Sequence, residues 1–133
     1  MRASRIADFL VQEKLNLPCR NWKREDLESW IDWAIMHGHC GIAMHKGKLQ
    51  GVGIGRPIGR IEDGGRYYAV DYQGPILWID LVASVHPHGM KTVWQMALDR
   101  FGQREAVAFT RFKDNVPKVH VYAWEKLKSK LSK

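Results

Sequence analysis

Ile76-Leu77-Trp78-Ile79-Asp80-Leu81-Val82-Ala83-Ser84 is a nearly unbroken apolar run, and Val85-His86-Pro87-His88-Gly89 leads from it to a second apolar pattern. The run has the length and continuity of a central strand covered on both faces. In the second pattern Met90, Val93, Trp94, Ala97, Leu98 and Phe101 recur at helical spacing, and Gly102 stands where a helix would stop. The stretch therefore reads as a buried strand, a His/Gly loop and an amphipathic helix over Met90–Phe101.

Working outward, Ile6, Ala7, Leu10 and Val11 predict a first helix over Ala3–Leu15, with Pro18 beyond it. Asn21 or Asp26 is a cap for a second helix, whose stripe of Leu27, Trp30, Ile31, Ala34 and Ile35 ends at Gly38. Short apolar runs broken by glycine follow. Cys40–His45 and Lys48–Arg56 predict a hairpin turning at Lys46-Gly47, Pro57–Arg66 a loop, and Tyr67–Tyr72 a further strand. Downstream of the helix, Ala106–Phe112 and Val119–Trp124 predict a second hairpin around Lys113–Pro117. The order defines an α+β class, a mixed, mainly antiparallel sheet flanked by helices. The strand-helix-strand unit around Met90–Phe101 implies one parallel pair.

With 133 residues and 45% apolar content, the chain is expected to form a single domain, 1–133, with a real core. Cys19 and Cys40 form no CxxC pair, and no signal-like or membrane-spanning run is present, so a reduced, soluble, cytoplasmic protein is expected. The net charge of +7 favours acidic partners, nucleic acid or phosphate-rich ligands among them, although Lys126, Lys128, Lys130 and Lys133 place part of it in the tail.

A helix that starts at the carboxyl end of a central strand points unpaired N–H groups at that edge, the ordinary chemistry of an anion site. There Gly89 permits close backbone approach, while Lys91 and Thr92 add a cation and a hydroxyl to the first turn. The alternative is that Gly89 only makes a turn. Asp80 is a carboxylate in an apolar strand, and two roles are open to it. Burial raises a carboxyl pKa and suits it to take a proton from an amine; equally, a buried Arg, Lys or His pairs with such a group. His37, His39, His86 and His88 lack the spacing of a ligand tetrad, so no metal site is assigned. Gly51, Gly53 and Gly55 leave one strand face bare, for a packed helix or ring sooner than a substrate.

Two helices, a hairpin, a long central strand, a glycine loop entering a helix and another strand: this order resembles the GNAT acyltransferase superfamily over most of the chain. In that superfamily the central strand and loop hold the pantetheine and pyrophosphate of acetyl-CoA, through Gln or Arg, two residues, Gly, one residue, then Gly or Ala. The corresponding string here is His86-Pro87-His88-Gly89-Met90-Lys91; Gly89 matches, and His86 and Lys91 depart from the pattern. Small phage-encoded GNAT-like proteins are similar. Trp78-Ile79-Asp80-Leu81-Val82-Ala83 is also similar to the Trp-x-x-Asp-x-x-Ala region of toxin-activating lysine acyltransferases, where the aspartate is catalytic.

The resemblance implies an N-acyltransferase using acetyl-CoA or another acyl thioester, with an amine acceptor on a protein or small molecule. It implies Asp80, His86 and Tyr122 as catalytic residues, Tyr122 as proton donor to the thiolate. Val82, Ala83, Ser84, His88, Gly89, Met90, Lys91 and Thr92 would bind the acyl-CoA. The rival reading is a GNAT-like module without catalysis, holding nucleic acid or an acidic protein through Arg56, Arg60, Arg66, Lys113 and Lys118.

Overall fold

The computed structural model describes residues 1–114 and 116–132. Asn115, within the expected second turn, and Lys133, in the basic tail, lie outside the described residues. Helices α1 (Ala3–Leu10) and α2 (Arg24–Met36) precede strands β1 (Cys40–His45), β2 (Lys48–Ile58) and β3 (Ile76–Ser84). Helix α3 (Pro87–Phe101), strands β4 (Ala106–Lys113) and β5 (Val116–Ala123) and helix α4 (Trp124–Leu131) complete the order. The five strands lie in one sheet in the order β1-β2-β3-β4-β5, antiparallel except for the β3/β4 pair. The expected mixed sheet and its one parallel pair are therefore present.

Each face of the sheet carries one helix pair. Ile6 and Leu10 of α1 and Leu27 and Ile31 of α2 pack with Val52, Ile54, Leu81 and Ala83. On the other face Leu98 and Phe101 of α3 and Trp124 and Leu127 of α4 pack with Leu77, Ile79 and Val107. Leu77 and Ile79 thus face α3, whereas Leu81 and Ala83, in the same odd register, face α1 and α2. The inversion comes from a bulge: Ile54 pairs with Leu81 and the next residue, Gly55, with Ile79, so Asp80 is the extra residue on β3. Simple alternation along an extended strand would put Asp80 on one face with Trp78, Val82 and Ser84; with the bulge at Asp80, Val82 packs on the α3 side.

The bare face of β2 is covered by α3. An added Cβ on Gly53 would lie 2.5 Å from Val93 Cγ1, and one on Gly51 3.0 Å from Val93 Cγ2.

Several boundaries and one element differ from expectation. Tyr67–Tyr72 is not a strand, because β2 and β3 are direct neighbours and leave no edge for it. Its backbone is held instead by side chains and by the bond from Asp71 N to the Pro57 carbonyl (2.9 Å). Helix α1 stops at Leu10, and a short 3-10 turn ends at Asn16 with φ 47°. Helix α3 starts three residues early, at Pro87, a residue whose missing N–H costs nothing at the first helical position. Strand β5 starts at Val116, and Trp124 opens α4 instead of ending the strand.

Candidate functional site

Strands β3 and β4 pair only from Ile76 to Ile79, opposite Ala106 to Phe109. Beyond that point the two strands part, and Ile79–Val82 and Thr110 line opposite sides of a cavity of about 300 Å³. Its other walls come from Trp22, Trp30, Gly64, Tyr67, Trp78 and Phe112, among others. Trp22, Trp30 and Tyr67 form one aromatic cluster, with ring centroids 5.1–5.7 Å apart.

Asp80 lies in this wall with its side chain 1% exposed, bonded to Arg56, whose side chain is 0% exposed. Arg56 Nε donates to Asp80 Oδ2 (3.0 Å) and Nη2 to Oδ1 (3.1 Å). Nη2 also donates to the Gly64 carbonyl (2.6 Å), and Nη1 faces the carbonyls of Asp63 (3.0 Å), Arg66 (2.6 Å) and Ala69 (2.7 Å). One guanidinium therefore joins the central strand to the 63–69 segment that walls the cavity, using the fork of donors only arginine has. Burial outweighs the pull of Arg56 and raises the Asp80 carboxyl to about 6, so it remains ionised at neutral pH.

Arg56 was grouped above with candidate nucleic-acid contacts; burial and full hydrogen bonding remove it from any surface. Arg60 and Arg66 are exposed. A lone arginine in a strand otherwise of glycine, proline and aliphatic residues, Gly51–Ile58, is the signal for an internal partner of Asp80.

The β3–α3 junction is the second part of the site. The His86 ring caps α3, its Nδ1 accepting from His88 N–H (3.1 Å), and Met90 N–H bonds the His86 carbonyl (3.2 Å). Since Nδ1 accepts, the neutral ring carries its proton on Nε2. Ser84 Oγ accepts from His86 N–H (3.1 Å) and lies 2.6 Å from the His86 carbonyl and 3.0 Å from that of Gln50. Gly89 lies against this knot, since its added Cβ would come within 2.6 Å of Ser84 Oγ. The glycine thus serves close packing inside the first helical turn, where a loop was expected. His86, His88, Gly89 and Thr92 share a cavity of about 450 Å³ with Ile42–His45 of β1. Thr92 Oγ1 bonds the His88 carbonyl (3.0 Å). Met90 is half-buried and Lys91 exposed in the same turn.

The structure places the remaining candidates apart. Val82 lines the aromatic cavity, and Ala83 is buried beneath α1 and α2. Tyr122, on edge strand β5, stacks on Phe109 at 5.8 Å with Lys130 Nζ 4.7 Å from its ring centroid, on the α3/α4 side. Asp80 and His86 therefore line different cavities, and Tyr122 lines neither of those two. Among the described residues, no group of three His, Cys, Asp or Glu side chains is arranged to hold a metal ion.

His39, 3% exposed, is a buried titratable group outside the aromatic cavity, among the rings of Trp33, Tyr72 and Phe101. Its Nε2 is 2.9 Å from the Tyr72 hydroxyl, and Nδ1 has no partner among the described residues. Burial, helped by the charges of His37, Arg100 and Arg56, lowers its pKa to about 4. The unfolded chain then takes up this proton first, so stability is lost as pH falls from about 6.5 toward 4, by about 3 kcal/mol in all. Asp80, with its raised pKa, acts in the opposite direction over pH 4–6. The measurement is therefore a difference: urea unfolding should show wild type losing about 3 kcal/mol relative to His39→Phe between pH 7 and pH 4. A constant gap would reject the assignment.

No protein-family model matches the chain, and no curated protein matches it. Two solved structures are similar. The GNAT-like decarboxylase GphF, in complex with isobutyryl-CoA, aligns over 98% of this chain and 69% of its own, with a TM-score of 0.56 and 16% identity. A crystal structure described as an acetyltransferase aligns over 98% of this chain and 81% of its own, with a TM-score of 0.48 and 13% identity. The fold of this chain is GNAT-like, as the order of its elements implied. No described helix is long and apolar enough to cross a membrane.

Proposed function

We propose that this protein binds an acyl thioester of coenzyme A in the opening between β3 and β4 and transfers the acyl group to an amine. The observation that carries the reading is the end of β3/β4 pairing at Ile79 and Phe109, above an apolar cavity. Backbone groups on the β4 side of Asp80–Ser84 are available to the thioester arm, as a strand edge offers them to an extended ligand. GphF, of the same fold, was solved with a CoA thioester, which supports the class of ligand. The acceptor enters as free amine, its nitrogen attacks the thioester carbonyl carbon and the C–S bond breaks. The one proton lost by nitrogen ends on the departing sulfur, so the products are an amide and the free thiol.

In this reading Asp80 is a positioning residue, because both of its oxygens are engaged by Arg56 and the pair sets the cavity wall. His86 acts through its cap on α3, which bears His88–Thr92 toward the phosphates of the coenzyme.

Acetyl-CoA at a hundredfold excess over Kd is expected to stabilise the fold by about 2.7 kcal/mol, seen as a rise in Tm. Gly89→Val should abolish that rise, since its side chain displaces Ser84 and the start of α3. Release of free thiol in the presence of amines reports the transfer. No Tm change at millimolar CoA esters, together with nucleic-acid binding that weakens steeply with salt, would replace this reading with the non-catalytic one.

A further inference from the structure

We infer that the aromatic cavity beside β3 is an acyl-chain pocket, and that the donor carries a bulky apolar acyl group in preference to acetyl; this rests on the acyl-thioester reading above. The cavity opens where the strands part, with Ile79–Val82 on one lip and Thr110 and Phe112 on the other. A chain attached to a thioester held along Asp80–Ser84 therefore enters it directly.

Two features identify the occupant. The first is polarity: Trp22, Trp30, Tyr67, Trp78, Leu81 and Phe112 supply ring and aliphatic surface, and the lining includes a single carboxylate, Asp80. Arg56 occupies both oxygens of that carboxylate, so the wall offers an ammonium no free anion and offers a hydrocarbon chain an apolar lining. The second is size. About 300 Å³ corresponds to roughly ten water-sized groups, and the methyl of an acetyl group fills on the order of one of them. An acetyl donor leaves most of the apolar surface without a partner, whereas a medium-length or branched chain covers it. Phe112 at the rim is 53% exposed, and an entering chain would bury more of that ring.

The test is calorimetric titration of the protein with CoA, acetyl-CoA, butyryl-CoA and hexanoyl-CoA. In parallel, tryptophan fluorescence is followed with acetyl and hexanoyl thioesters of N-acetylcysteamine, which lack the nucleotide. Affinity should rise roughly three- to fourfold per methylene from acetyl to hexanoyl, and the hexanoyl cysteamine thioester should alter the emission where the acetyl one does not. Thr110→Phe, which fills the mouth, should flatten the chain-length series. Should that variant fail to fold, Phe112→Ala at the exposed rim should weaken hexanoyl-CoA several-fold more than acetyl-CoA.

Equal affinity for all CoA esters, or a chain-length series unchanged in both variants, overturns the pocket and leaves the CoA reading standing. A response to the hexanoyl cysteamine thioester without binding of any CoA ester retains the pocket and overturns the CoA reading. Silence in both experiments overturns both.

Discussion

Arg56→Met is expected to lower the free energy of unfolding by about 3–5 kcal/mol, or about 10–20 °C in Tm for a chain of this length. Methionine fills a similar volume and removes every hydrogen bond of the guanidinium. It leaves the Asp80 carboxylate buried without a counter-charge, and the carbonyls of Asp63, Gly64, Arg66 and Ala69 without their arginine donor. Arg56→Lys should rescue little, since one ammonium with three donors cannot span acceptors spread over two segments. The pH dependence identifies the cause. Arg56 is the main group, ahead of Trp78, that pulls the Asp80 carboxyl down against burial, so its loss moves that pKa above the present value of about 6. Above pH 6 the wild type holds a carboxylate paired with Arg56, whereas the variant must either keep the proton or bury an unpaired charge; below it both hold a neutral acid there. The deficit should therefore be largest at pH 7–8 and shrink toward pH 5, in urea unfolding followed by circular dichroism. A loss under 1 kcal/mol at pH 8 would show that the pair does not anchor the 63–69 segment.

The second large effect is expected at Gly53. Its Cβ position is 2.5 Å from Val93 Cγ1 and 3.8 Å from the Val93 carbonyl oxygen, and both residues are buried. Gly53→Val adds three carbons where there is room for none, so α3 must lift from the sheet. Overpacking of this kind costs about 1–3 kcal/mol, occasionally more, and the better strand propensity of valine recovers only part of it. We expect a net loss of about 2 kcal/mol. Because α3 carries the His86 cap and Gly89, the same substitution should reduce CoA-ester binding. Gly65→Ala is the control: nothing lies within 4 Å of its Cβ position, and its stability should stay within about 0.5 kcal/mol of wild type.

Much of the architecture was legible because it rests on periodicity. The apolar run at Ile76–Ser84 and the helical stripe from Met90 to Phe101 are local patterns, and each emerged as the element it implied. Tyr67–Tyr72 failed the same test for a non-local reason. Its aromatic and β-branched residues suit a strand, but a strand needs a free neighbouring edge, and β2 and β3 had already paired with each other. The early start of α3 was marked by Pro87, a residue suited to the first helical position that was read instead as part of a loop.

The candidate site was legible only in part. Asp80 stood out as a carboxylate in an apolar strand, but its partner lies 24 residues upstream, and no spacing rule joins them. The aromatic wall was hidden for a similar reason, since Trp22, Trp30, Tyr67 and Trp78 come from four separate segments.

By itself, then, the amino-acid sequence determined the class of fold, the central strand, the helix that follows it and the oddity of one carboxylate. These follow from side-chain period and polarity, which neighbouring residues settle among themselves. Tertiary structure alone decided that Asp80 faces Arg56, that Gly89 serves packing and that β3 and β4 part above an aromatic cavity. The physical reason is that bulge register, burial of a charge and the end of a strand pairing depend on groups far apart in the chain, which become neighbours only when the sheet closes.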